Sequence, residues 1–282
     1  MIKKSNTKSD RFDSRNKLND LSGKEWLKLT NSVWISEKCA EDKFAFQHPA
    51  PFLITDIRKL IRFFTKNNMI VLDPFCGSGT TLVASAIEKR KGVGIDLNKK
   101  YCILSRKRLK ELRLEKSQRV IWGDSLKKIS EIKGPIDYCV TSPPYHNILR
   151  HNGNGLRDVK NKAVRNGARI GVEYYSEDKR DVGNQKEYKD FLDLLKQIMN
   201  KIYNKLKEGK YCSIIISDFT VNKIETNASG DVIRLMQSMG FNFEGSIVLV
   251  QNNKPLYPFG YPFAFKINHH HQYILNFRKT NF

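Results

Sequence analysis

Met69-Ile-Val-Leu-Asp73-Pro-Phe-Cys-Gly77-Ser-Gly79-Thr-Thr81 runs from a strand-length apolar stretch through a glycine turn, and beyond it Leu82, Val83, Ala86 and Ile87 fall on helical spacing. Strand, glycine turn and helix in that order form the ligand crevice of a doubly wound sheet. Gly77 and Gly79 let the backbone approach a ligand closely, and the amides at the helix start face an anionic group. No Lys-Ser or Lys-Thr closes the loop, which excludes a P-loop. A dinucleotide site stays open, although Leu82 stands where its fingerprint carries a third glycine. Two more strands follow. Gly92-Val-Gly-Ile-Asp96 ends in an acid placed to accept two ribose hydroxyls, and Val120-Ile-Trp122-Gly-Asp124 ends in an acid beside an aromatic, suited to an adenine ring and its amino group.

The next apolar run, Asp137-Tyr-Cys-Val-Thr141, leads into Ser142-Pro143-Pro144-Tyr145. Both prolines have a fixed φ and no amide hydrogen, so carbonyl and hydroxyl oxygens dominate the rim of this loop. Such a rim accepts hydrogens from an NH2 group. Tyr145 adds a ring on which a planar base can lie once it is unstacked from its duplex. An ordinary Pro-Pro turn ending a buried strand is the bland alternative, and it weakens beside the glycine loop.

With both motifs in view, the chain resembles the S-adenosylmethionine-dependent DNA amino-methyltransferases of cytosine N4 and adenine N6, from about Leu21 to its C-terminus. The resemblance implies a class I, Rossmann-like α/β fold: a mixed, mostly parallel seven-stranded sheet with helices on both faces and DNA-recognition insertions. It implies S-adenosyl-L-methionine as cofactor. Loop 73–79 would hold its methionine part, through Asp73, Phe75, Gly77, Gly79 and the adjoining Thr80, with Asp96 on the ribose and Trp122 and Asp124 on the adenine. His48-Pro49-Ala-Pro-Phe52 and the amphipathic stretch 53–65 resemble the segment that packs over the methionine end; a plain helix entry with a tolerated proline is the alternative. Ser142, Pro143, Pro144 and Tyr145 would form the catalytic loop. Serine at its first position resembles the cytosine-N4 branch, with adenine-N6 as runner-up. Methylation of RNA or of a protein glutamine amide, and a non-catalytic DNA-binding subunit, are more distant readings.

Composition agrees with a polyanionic partner. Fifty Lys and Arg against 29 Asp and Glu give the 282 residues a formal charge of +21, which bears on binding and solubility and not on fold. No apolar run reaches membrane-spanning length, and Met-Ile-Lys-Lys-Ser-Asn lacks a signal peptide's apolar core, so a cytoplasmic protein without a membrane partner is expected. Five cysteines without a C-x-x-C pair fit a reducing compartment and form no zinc pattern. His269-His270-His271 enters a strand, where neighbours alternate faces, so no metal site is expected there. His146 stands next to the tetrapeptide and is a weak candidate for the target pocket.

The organisation reads as a basic, polar arm at 1–30 and a catalytic domain at 31–282. A helix is predicted over 187–206 with Gly209 beyond its end, then a strand at 211–217, a helix at 231–239 and strands at 245–251 and 272–277. The chain ends five residues after that last strand, so recognition is expected from insertions at 146–186 and 251–271, helped by the arm. Arg150, Arg157, Lys160, Arg165 and Arg169 are the DNA-contact candidates in the first; a solvated loop is the alternative. The second, Lys254-Pro-Leu-Tyr-Pro-Phe-Gly-Tyr-Pro-Phe-Ala-Phe265, reads equally as a DNA contact or as a hairpin covering the core. Double-stranded DNA is the expected partner, with a cognate restriction endonuclease as a possible second one.

Overall fold

Apolar runs buried on both faces put β2 (Ile70–Asp73), β5 (Ile136–Thr141) and β6 (Leu206–Ile216) in the middle of one eight-stranded sheet, with β3 (Lys91–Asp96) beside β2. The computed structural model describes residues 12–146, 175–222, 224–251, 254 and 256–280. Strand order is β1-β9-β10-β6-β5-β2-β3-β4, where β1 is Val33–Ile35, β4 Gln118–Trp122, β9 Phe241–Val250 and β10 His271–Lys279. Only β10 runs against its neighbours, pairing antiparallel with both β6 and β9. The seven strands expected are present. The eighth, β1, adds in parallel to the outer edge of β9 through Val33, Trp34 and Ile35, a stretch too short to stand out by pattern.

Alternation along the strands builds two cores. In β5, Tyr138 and Val140 face one layer and Cys139 the other; in β6, Ile215 opposes Ile214 and Ile216. The first layer is covered by α2 (Ile54–Phe64), α3 (Thr80–Ile87) and α4 (Lys99–Glu111), through Ile57, Leu60, Ile61, Leu82, Val83 and Leu109. The second is covered by α6 (Tyr188–Lys205) and α7 (Ala228–Gln237), through Phe191, Leu195, Ile198, Met199 and Ile202 of α6 and Val232 and Met236 of α7. Each such side chain contributes about 1.5–3 kcal/mol by leaving water. A short α5 (Ser125–Lys128) follows β4, and a small hairpin, β7 (Phe219–Val221) with β8 (Ile224–Thr226), follows β6.

One expectation is corrected. Gly209 lies beyond the end of α6 but does not stop it: β6 begins directly at Leu206, and Gly209 sits inside the strand at φ +71°, in the stretch where the β5–β6 register shifts. The N-terminal arm, as far as it is described, packs away from the site. Asn19 donates to the Phe63 carbonyl at 2.6 Å, and the Asn67 amide donates to Asp20 at 3.1 Å. These contacts lie at the amino ends of β2 and β3, opposite the loops read as ligand-binding. The arm is anchored further by α1 (Gly23–Leu29), whose Ser22 and Glu25 form a capping box and whose Glu25 pairs with Arg62 at 2.6 Å. Among the described residues no helix is long and apolar enough to cross a membrane.

Candidate active site

From β2 the chain winds outward to β3 and β4 on one side and to β5 and β6 on the other, so the switch point lies between β2 and β5. Ligands bind outside the carboxyl ends of the strands at such a point. Asp73 ends β2 there and is buried. Its carboxylate accepts hydrogen bonds from the hydroxyls of Thr141 and Thr81, both at 2.6 Å, and from the Phe75 amide at 3.1 Å. One side chain therefore ties the glycine loop and the start of α3 to the end of β5. Three of its acceptor positions are thus used within the chain, and Asp73 acts as a clasp behind the loop. Burial pushes its carboxyl up to about 6, against the hydrogen bonds from Thr141 and Thr81.

The glycine loop is set by close packing. Gly79 has φ +81°, and a Cβ there would lie 2.0 Å from the Ser105 hydroxyl of α4. Gly79→Ala is expected to destabilise the fold by about 2–4 kcal/mol, combining left-handed strain with overpacking. Chemical denaturation checks this, and Ser105→Ala in the same chain should recover part of the loss. Beneath the loop lies buried Arg108, whose Nη1 donates to the Ser78 carbonyl at 2.7 Å and to the Thr80 hydroxyl at 3.1 Å. The Thr80 hydroxyl in turn reaches the Phe52 carbonyl at 3.3 Å, so Thr80 braces the loop.

Asp96, half-buried at the end of β3, accepts from the Gly77 amide and the Asn98 amide, each at 2.8 Å. Two of the roughly four acceptor positions of a carboxylate are thus used. Trp122 lies beside it in register on β4, its ring 53% exposed and its indole N–H donating to the Leu97 carbonyl at 3.1 Å. An acid with acceptor capacity left over, next to an exposed aromatic ring, fits a nucleoside with a ribose diol and a flat base. Asp124 serves as the cap of α5, accepting from the Leu126 amide at 2.9 Å. Its other oxygen is the one that could meet an amino group.

His48 covers the loop from the side. Its ring packs 4.4 Å from Tyr101 and 5.9 Å from Tyr175, and its Nε2 is 3.0 Å from where a Gly77 Cβ would be. Burial pulls its pKa down to about 4, so it is neutral at pH 7. Pro49 is buried beside it. Tyr101, Tyr175 and Asn98, whose side chain donates to the Tyr175 carbonyl at 2.8 Å, were not picked out from sequence.

Ser142 is half-buried at the end of β5, followed by buried Pro143, half-buried Pro144 and buried Tyr145. The Tyr145 ring, expected to carry a stacked base, lies instead against Phe219, 5.5 Å away and nearly parallel at 13°. Its hydroxyl receives hydrogen bonds from the Ser217 amide at 3.0 Å and from the Gln272 side chain at 2.8 Å. Tyr145 thus anchors the loop to β6 and β10, because Phe219 and Gln272 offer it a buried, hydrogen-bonded seat. The 3₁₀ turn Val182–Asn184 packs on the other part of the loop, Gly183 lying close to Pro144 and to the Tyr145 carbonyl. His146 is buried, its Nε2 3.0 Å from the Gln185 carbonyl. Arg150, Arg157, Lys160, Arg165 and Arg169 lie outside the described residues. The 251–271 stretch does not cover the core: Phe259, Tyr261, Phe263 and Phe265 are exposed. His269 lies 2.8 Å from the Glu225 carboxylate of the β7–β8 hairpin.

Burial also pushes Asp96 up, to about 7. A carboxyl that holds its proton more tightly folded than unfolded favours the native state fully at acid pH, and that contribution is lost as the pH rises through its folded pKa. The melting temperature of the parent, measured against Asp96→Asn, is therefore expected to fall as the pH climbs from about 4 through about 7. A difference that stays flat over that range would contradict the shift.

The chain matches the profile of the DNA methylase family over residues 1–107 and 136–282. It is 42% identical over 74 residues to the orphan methyltransferase M.BamHII of Bacillus amyloliquefaciens, covering 26% of this chain and 28% of that one. It is 35% identical over 99 residues to the type II methyltransferase M2.DpnII of Streptococcus pneumoniae, covering 35% of each. The alignments span about a quarter to a third of the length of these relatives. Among solved structures, TrmN from Thermus thermophilus superposes with a TM-score of 0.52 at 14% identity, over 86% of this chain and 54% of that one, a likeness of class I fold.

Proposed function

The chain belongs to the DNA methylase family of S-adenosylmethionine-dependent N4/N6 amino-methyltransferases, and from that premise we propose that it methylates the exocyclic N4 of a cytosine flipped out of duplex DNA. The observation that carries the reading is the Asp73 clasp, which joins the glycine loop to the Ser-Pro-Pro-Tyr loop through 2.6 Å hydrogen bonds from Thr81 and Thr141. The cofactor is S-adenosylmethionine, which supplies an already activated methyl group. Asp96 and Trp122 would hold its nucleoside, with the loop around Gly77 and the ring of His48 beside its methionine part.

What remains for the chain's own residues is to present an amine lone pair. The NH2 of cytosine is conjugated with its ring and is a poor nucleophile. Hydrogen bonds donated by that NH2 to the Ser142 hydroxyl and the Pro143 carbonyl draw the nitrogen toward sp3 geometry and expose its lone pair. A fixed orientation in a site closed to water supplies most of what the reaction needs. The surplus proton leaves to solvent, directly or relayed across the Ser142 hydroxyl as that gives up its own proton to water. No covalent intermediate is required, in contrast to C5 methylation, which uses a cysteine usually preceded by proline; no Pro-Cys pair occurs in this sequence.

Serine at position 142 favours cytosine-N4; adenine-N6 is the second reading, since both bases present an amine beside a ring nitrogen. The charge of +21 favours nucleic acid over a protein substrate. A role in restriction-modification or epigenetic marking, with a cognate endonuclease as partner in the first case, follows the same reading. Single-molecule sequencing of DNA from cells that express the protein tests it: N4-methylcytosine in one sequence context is expected, and N6-methyladenine in its place would transfer the assignment to the adenine branch.

A further inference from the structure

The hairpin between β9 and β10 is built, yet it leaves its rings in water. Its base is closed where the Gln251 amide donates to the His270 carbonyl at 2.7 Å and the Gln251 side chain donates to that of Gln272 at 2.9 Å. Higher up, Asn268 clasps Tyr257, accepting from its amide at 3.0 Å and donating to its carbonyl at 2.8 Å. At the tip the amides of Phe263 and Ala264 both return to the Gly260 carbonyl, at 2.8 and 2.7 Å. Gly260 is required there, because its φ is +76° and a Cβ would strike the Ala264 carbonyl. On this frame Phe263 is 94% and Phe265 90% exposed, with Tyr261 and Phe259 also exposed. An ordered turn that holds several large rings in solvent marks a surface made to enter something apolar.

Two observations identify what it enters. The hairpin rises from the carboxyl edge of the sheet, next to the reacting loop, since Gln272 at its base donates to the Tyr145 hydroxyl at 2.8 Å. The chain that carries it has a charge of +21, which draws a polyanion to the protein. The one apolar interior a DNA duplex offers is its base stack, and apolar side chains of DNA-bending proteins enter it between base steps. We propose that the hairpin is a duplex wedge, with Phe263 and Phe265 inserted into the base stack to fill the gap left by the extruded target nucleotide. The proposal rests on the amino-methyltransferase reading and adds to it the device that keeps the target base out of the helix. It assigns the hairpin to holding the base out and not to reading base edges.

The test uses a duplex carrying the motif found by sequencing, with the target base either paired or facing a mismatched base, and the full chain with Phe263→Ala and Phe265→Ala combined. The exposure of both rings predicts an unchanged melting temperature. At saturating protein, single-turnover methylation of the paired duplex should slow about 10-fold or more, as for a lost stacking contact, while the mismatched duplex should slow far less, because its base leaves the stack readily. With 2-aminopurine at the target position, facing thymine in the paired duplex and guanine in the mismatched one, the fluorescence rise seen with the parent should vanish in the variant on the paired duplex and persist on the mismatched one. Phe263→Leu with Phe265→Leu should recover most of the rate. Equal slowing on both duplexes, or parental rates on both, would overturn the wedge. So would a parent dimer that the alanine variant converts to monomer without altering the rate ratio. A parent that methylates DNA while the variant matches it removes only the wedge; a parent that leaves DNA unmodified removes the amino-methyltransferase reading with it.

Discussion

Ser142→Ala is expected to lower turnover by about 10²-fold or more, the usual size of the effect when a hydrogen bond made at the reacting centre is removed. In the proposed reaction its hydroxyl would act on the amine as the nitrogen rehybridises, so the loss is expected in the transition state and not in binding. Affinity for S-adenosylmethionine and for DNA should stay close to that of the parent. Single-turnover assays with calorimetry separate the two. A Ser142→Ala enzyme with parental turnover would take Ser142 out of the reaction.

Asp73→Ala should do broader damage, because it cuts the clasp. The hydroxyls of Thr81 and Thr141 and the amide of Phe75 would lose their common acceptor inside the protein. Buried groups left unpaired cost about 1–3 kcal/mol each and do not add fully within one network, so a loss of about 2–4 kcal/mol of folding stability is expected. Cofactor affinity and turnover should fall together, since the loops on both sides of Asp73 are released. Asp73→Asn keeps one acceptor oxygen and should recover part of both. Denaturant titration with calorimetry measures these effects, and an alanine variant with parental stability and affinity would show that the loops hold their places without the clasp.

The strands that carry the site were legible because β2, β3 and β5 hold short apolar runs, and because these and the edge strand β4 each end in a marked residue: Asp73, Asp96, Thr141 and Trp122. What escaped was packing that residue type disguises. Helix α4 turns Cys102, Ser105, Arg108 and Leu109 inward, so its buried face is half polar and gives no apolar periodicity. Yet this helix supplies Arg108 and Ser105 to the glycine loop. Tyr145 was misread because Phe219 and Gln272, which bury it, lie 74 and 127 positions further along the chain. Gly209 mimicked a helix stop because a positive φ serves a strand irregularity as well as a helix end. The aromatic stretch before β10 carried two readings in its sequence, and the exposure of Phe263 and Phe265 removed the one in which it covers the core.

The central claim is that the clasped loops form an amino-methyltransferase site for DNA. It is tested most directly by incubating the purified chain with S-adenosylmethionine carrying a labelled methyl group and plasmid DNA, digesting the DNA to nucleosides and separating them. The label is predicted in N4-methylcytosine, with its initial rate of incorporation lowered about 10²-fold or more by Ser142→Ala. DNA that stays unlabelled under conditions where the protein binds the cofactor, or label recovered at C5 of cytosine, would contradict it.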